Sequence, residues 1–149
     1  MSEDDGAIEE LYRRAVIEHS RAPANFREID DPTGVSEQAN ELCGDEVKVA
    51  VVVEGGAIQD AAFVSRGCAL VKASGSIMTR AVSGQSVGDA KQLAKRFVDF
   101  INGDLDEFES PGETSALETV RRFPARRSCA TLSWEALAEA LANADENKE

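Results

Sequence analysis

Residues 47–65 constrain the fold more than any other stretch of the chain. Val47, Val49, Val51 and Val53 alternate with Lys48, Ala50, Val52 and Glu54, the period-two spacing of a strand with at least one buried face. Gly55-Gly56 follows, a pair able to take the positive φ that a tight hairpin turn requires, and Ala57 to Ser65 reads as the returning strand. Antiparallel pairing brings the two open ends of such a hairpin together. Asp45 stands just before the first strand and Cys68 just after the second, so a carboxylate and a thiol arrive at one edge of a sheet.

Helical spacing surrounds this hairpin. Ile8, Leu11, Tyr12, Ala15 and Val16 predict a helix over 7–20 that Pro23 bounds. Residues 21–39 are rich in turn formers, with one short strand expected near Val35. After Cys68, Leu70, Ala73, Ser74, Ile77 and Ala81 fall on one helical face, and Gly84 is placed to stop the helix. Ser86 with Asp89 resembles a capping box for a helix whose apolar face is Ala90, Leu93, Ala94, Phe97 and Ile101. An acidic loop spans 103–113, and Thr114 caps a short helix through Val120. A final helix is expected after Cys129, with Trp134, Leu137, Ala138 and Leu141 on one face. The charged tail from 145 to 149 and residues 1–6 are expected to fray.

At 149 residues the chain is expected to form one domain, 1–149, that buries roughly two-thirds of its unfolded surface. A net charge of −12 argues against nucleic acid and anionic membrane as partners, since both bind through Lys and Arg. No apolar run reaches the roughly 18 residues of a membrane span. The start, Met-Ser-Glu-Asp-Asp, lacks the basic and apolar regions of a secretory signal, so a cytoplasmic location is expected. Three cysteines cannot all pair with one another, and a reducing compartment favours metal binding or reactivity over disulfides.

Cys43 and Asp45 sit two positions apart with Gly44 between them, and the other cysteines are Cys68 and Cys129. Three thiolates and one carboxylate supply the four donors that a tetrahedral zinc ion takes. Each thiol stands beside a small residue, Gly44, Gly67 or Ser128, and two precede helical patterns, where the partial positive charge of a helix N-terminus favours thiolate. The spacing is not that of a zinc finger, and a chain of this size should fold without a metal, so a metal here points to chemistry. His19, the lone histidine, falls at a helix C-terminus, where the dipole accounts for it better than a ligand role does.

Several motifs together resemble the U-type iron–sulfur cluster assembly proteins, and within them the SufU branch. They are Leu11-Tyr12-Arg13 through Ile17-Glu18-His19, Pro23-Ala24-Asn25, Cys43-Gly44-Asp45, Gly67-Cys68, and Phe123-Pro124-Ala125-Arg126 running into Cys129-Ala130-Thr131-Leu132-Ser133-Trp134. Residues 103–122 resemble the insertion that separates the SufU branch from the IscU scaffolds. The chain departs from those scaffolds at three places. Ser128 replaces a histidine before the last cysteine, Phe123-Pro124-Ala125-Arg126 replaces a Leu-Pro-Pro-Val-Lys chaperone site, and Glu41 replaces a proline two positions before Cys43.

The resemblance implies an α+β fold, a small antiparallel sheet of about three strands covered by helices on one face, with the site at the sheet edge. It implies zinc held by Cys43, Asp45, Cys68 and Cys129. The activity implied is that of a zinc-dependent sulfurtransferase. Cys43 would accept persulfide sulfur from a SufS-type pyridoxal-phosphate cysteine desulfurase, which it activates, after a partner histidine replaces it on the metal. A downstream Suf scaffold would take the sulfur. Arg126 matches a family arginine near the site, where a fixed cation would favour the freed thiolate; the alternative is a surface arginine paired with acidic neighbours. The competing reading is a scaffold that assembles a transient iron–sulfur cluster on the same cysteines. A thiol redox sensor is disfavoured, because no Cys-x-x-Cys pair is present.

Overall fold

The computed structural model describes residues 3–40, 44–108 and 113–146. Among them run helix α1 (Glu3–Arg21), strands β1 (Gly34–Asn40), β2 (Asp45–Glu54) and β3 (Ala57–Arg66), helices α2 (Ala69–Val82) and α3 (Val87–Ile101), a 3-10 segment (Thr114–Arg122) and helix α4 (Pro124–Glu146). The fold is α+β, with one three-stranded antiparallel sheet ordered β1-β2-β3.

The hairpin forms as its valine alternation demands. Val49 faces Phe63, Ala50 faces Ala62, and Glu54 faces Ala57. Gly55 and Gly56 turn the chain with φ of 61° and 77°, values that a residue with a Cβ adopts only under strain. β1 pairs along the other side of β2, from Gly34 opposite Val51 to Asn40 opposite Asp45. It runs for seven residues, where only a short strand near Val35 was expected. Its buried positions are Gly34 and Ser36, small or polar residues that leave no hydrophobic alternation to read.

The helices pack on one face. α4 lies across β1 and β2, α2 lies on β3, α1 packs on α2, and α3 packs on α4. Val47, Val49, Val51, Ile58, Ala61 and Phe63 supply the sheet's share of the core. Close seating of α2 depends on Gly75, where a Cβ would lie 2.6 Å from the Phe63 ring. Trp134 of α4 stacks on Phe97 of α3 at 4.3 Å between ring centroids. Ser86 caps α3 by accepting the Asp89 amide at 3.1 Å.

α4 departs from expectation at its start. It begins at Pro124, a residue whose fixed φ suits the first helical position. Cys129 therefore lies inside the helix and not at its N-terminus. No helix among the described residues is long and apolar enough to cross a membrane.

Candidate metal centre

Asp45 is the first residue of β2, and the pairing of Glu46 with Arg66 sets it beside the chain that leaves β3. Gly67 occupies that exit with φ of 123°, and a Cβ there would stand 2.1 Å from Asp45 Oδ1. With no side chain in the way, the Cys68 amide donates to Asp45 Oδ1 at 3.0 Å. The carboxylate is fixed by that bond, and its second oxygen faces the thiols. Asp45 Oδ2 lies 3.8 Å from Cys68 Sγ and accepts from the Cys129 thiol at 3.3 Å.

Each thiol comes from a different helix. Cys68 is the N-cap residue of α2, and its side chain makes no capping bond. Cys129 projects from α4. One donor atom each from Asp45, Cys68 and Cys129 lies within 4.8 Å of the others. Asp45 and Cys129 are buried, at 2% and 7% exposure, while Cys68 is exposed. The cluster is thus closed on the sheet side and open at Cys68. Asn40 at the end of β1 donates to the Ser128 hydroxyl at 2.6 Å, which joins the sheet edge to α4 next to Cys129.

Electrostatics at this cluster are unbalanced. Among the described residues no Lys or Arg pairs with the buried Asp45 carboxylate. A buried carboxylate without a cation is costly, and a divalent ion between the donors would compensate it. Without one, burial pushes the Cys129 thiol well above its ordinary range, with Asp45 and then Cys68 adding to the effect. The helix-terminus argument from sequence therefore fails at Cys129, which lies within α4 and faces a carboxylate. Two sulfurs and one carboxylate oxygen form a donor set that suits zinc.

Cys43 lies outside the described residues, so the fourth expected donor is not placed. Its neighbour Gly44 donates its amide to the Asn40 carbonyl at 2.8 Å. Arg126 is exposed in the first turns of α4, with its guanidinium 5.9 Å from the Phe123 ring centroid. It forms no ion pair with a described residue.

His19 is not part of the cluster. It is buried, with Nδ1 2.7 Å from Ser76 Oγ and Nε2 2.9 Å from Glu113 Oε1. Arg80 also holds Glu113, at 3.2 Å. The histidine ties α1 to α2 and to the far end of the acidic loop, a tertiary role that the helix dipole alone did not foretell.

The model of the NifU-like N-terminal domain matches residues 11–149. A zinc-dependent sulfurtransferase SufU of Bacillus subtilis is 35% identical over 136 residues, covering 91% of this chain and 92% of that protein. An iron–sulfur cluster assembly scaffold protein IscU of Streptococcus pyogenes is 36% identical over 135 residues, covering 90% and 84%. Among solved structures, a putative iron–sulfur cluster assembly scaffold protein for the SUF system from Fervidobacterium islandicum superposes with a TM-score of 0.81. It is 28% identical, and the match covers 89% of this chain and 97% of that one.

Proposed function

The chain belongs to the NifU-like N-terminal domain family of iron–sulfur cluster assembly proteins, and on that premise we propose that it is a zinc-dependent sulfurtransferase. It takes persulfide sulfur from a SufS-type cysteine desulfurase, raises the turnover of that enzyme, and hands the sulfur to a downstream Suf scaffold. The observation that carries this reading is the buried Asp45 carboxylate, which faces the Cys68 and Cys129 thiols and has no Lys or Arg partner among the described residues. The Bacillus subtilis relative, matched over nearly its whole length, is itself named a zinc-dependent sulfurtransferase.

Cys68, Cys129 and Asp45 would hold the zinc, with Cys43 as the fourth donor. Bound there, zinc keeps thiols deprotonated yet shielded from oxidation. Asp45 stays in place through the Cys68 amide, so the site keeps its shape when one thiolate is engaged elsewhere. The Cys43 thiolate attacks the outer sulfur of the desulfurase persulfide. A new sulfur–sulfur bond forms on Cys43, and the donor cysteine leaves as thiolate. Arg126, exposed and free of a carboxylate partner among the described residues, supports the anionic thiol. Residues 103–122 serve as the SufU-type insertion of a single domain that acts in the cytoplasm.

Desulfurase turnover measured with and without this protein, before and after chelation, tests the proposal. Faster sulfide release that is lost on chelation is the expected result. The identity shared with the Streptococcus pyogenes scaffold supports the alternative, a site for transient cluster assembly. A brown anaerobic product with cluster absorbance, together with no effect on the desulfurase, would favour that reading.

A further inference from the structure

Behind the thiols a buried polar contact joins α2 to α4. Ser74 of α2 is fully buried. Its hydroxyl donates to the Ala130 carbonyl at 2.6 Å and accepts the Trp134 indole N–H at 3.1 Å. Ala130 directly follows Cys129, and Trp134 stands four residues further along α4, so one α2 hydroxyl is gripped across a full turn of the facing helix. Trp134 is itself fixed by its stack on Phe97. Apolar packing alone resists sliding weakly, because one methylene contact replaces another. Paired hydrogen bonds of fixed direction do not exchange in that way.

The placement matters because α2 and α4 each carry one of the thiols. Cys68 caps α2 six residues before Ser74, and Cys129 immediately precedes the residue whose carbonyl Ser74 binds. A slip of one residue between the helices moves a thiol by about 1.5 Å. That is a large error for a centre with metal–sulfur distances of about 2.3 Å. We propose that Ser74 is a positioning residue for the metal centre, setting the Cys68–Cys129 spacing through the Ala130 carbonyl and the Trp134 indole without touching the ion. The inference rests on the metal-centre reading above and adds to it the group that fixes its geometry.

α2 supplies its own control. Ser76 is also fully buried, but it faces α1 and the loop after it, lying 2.7 Å from His19 Nδ1 and accepting the Ala24 amide at 2.7 Å. Removing either hydroxyl should lower thermal stability, and only Ser74 should affect the metal. The experiment measures zinc affinity by competition with a chromophoric chelator and the visible spectrum of the cobalt(II)-loaded protein, for wild type, Ser74→Ala, Ser76→Ala and Trp134→Phe. Ser74→Ala should bind zinc roughly tenfold or more weakly, the range seen when groups that orient metal ligands are removed, and should show altered cobalt bands. Trp134→Phe, which keeps the ring but loses the N–H, should show a smaller change of the same kind, and it replaces Ser74→Ala in the test if that variant does not fold. Ser76→Ala should match wild type in both readings. Wild-type affinity and spectrum in Ser74→Ala, or an equal loss in Ser76→Ala, overturns the inference.

A metal-free reading separates this inference from the functional proposal. Phenylarsine oxide bridges two thiols that lie close together, and its capture by Cys68 and Cys129 can be timed in a Cys43→Ser background. Slower capture with Ser74→Ala but not with Ser76→Ala upholds the positioning role even if wild type takes no zinc. Equal capture rates in all three overturn it.

Discussion

The Asp45 carboxylate and the Cys68 backbone amide meet at 3.0 Å across the mouth of the β2–β3 hairpin. One oxygen accepts from the backbone and the other faces the Cys68 and Cys129 thiols, which gives Asp45 two separable duties. Asp45→Ala removes both, and leaves the Cys68 N–H without its acceptor at a cost of about 1–3 kcal/mol. Asp45→Asn can retain the amide bond but carries no charge. Both variants should lose most of the zinc-dependent rise in melting temperature that wild type shows. Only Asp45→Ala should also lower the melting temperature of the metal-free protein. Differential scanning calorimetry with and without zinc checks this.

Gly67 makes that meeting possible. A side chain there would collide with Asp45 Oδ1, and the φ of 123° is one that residues other than glycine occupy at a cost of about 1–3 kcal/mol. Gly67→Ala should therefore destabilise the fold by at least that amount and weaken zinc binding at the same time. Urea unfolding alongside zinc titration would show both losses; wild-type zinc affinity in a folded Gly67→Ala protein would contradict the geometry.

The raised Cys129 thiol gives a pH signature. Its folded value lies above the ordinary 9.0, so the folded state holds this proton more tightly than the unfolded state does. The stability it contributes is fully present below pH 9 and is lost as pH rises through and beyond that value. Metal-free wild type should thus lose stability between about pH 8.5 and 10 more steeply than Cys129→Ala. Zinc-loaded protein should lack this slope, because its ligand thiols are already deprotonated. Thermal melts across that range test the sign.

His19 separates the fold from the site. His19→Ala breaks the contacts with Ser76 and Glu113 and should cost about 1–3 kcal/mol through the polar groups left unpaired. Zinc content should stay at the wild-type level, because the ring is not part of the Asp45, Cys68 and Cys129 cluster. Zinc loss matching the loss of stability would mean that the histidine reaches the centre after all.

Much of this could be read from the residues. The valine alternation and Gly55-Gly56 specified the hairpin, and the hairpin alone carried Asp45 to Cys68. Apart from the family resemblance, Cys129 was legible only as a residue type of the right chemistry, because contact between α2 and α4 is tertiary and leaves no local spacing. The start of α4 was hidden because the apolar stripe begins near Trp134, while Pro124 and four polar or small residues precede Cys129. Ser74 did leave a signal. It is a hydroxyl on the apolar face of α2, and a polar residue at such a position marks a buried hydrogen bond. Its partners could not be named without the fold. Gly67 likewise reads as a turn residue until the carboxylate it admits is seen.

Sulfur acceptance isolates Cys43. Cys43→Ala, in protein shown by circular dichroism to be folded, should abolish transfer of persulfide sulfur from the desulfurase. Mass spectrometry of the chain after a single desulfurase turnover, looking for one added sulfur, decides the matter; an unchanged yield of persulfide in the variant would assign the acceptor role to another thiol.

The central claim is that chain positions far apart in sequence gather their donors around one zinc ion. X-ray absorption at the zinc edge of the purified protein tests it most directly. The account predicts about one zinc per chain with a shell of three sulfurs near 2.3 Å and one oxygen near 2.0–2.2 Å. A shell with no sulfur, or a protein that takes up no zinc while its three thiols stay reduced, would contradict it.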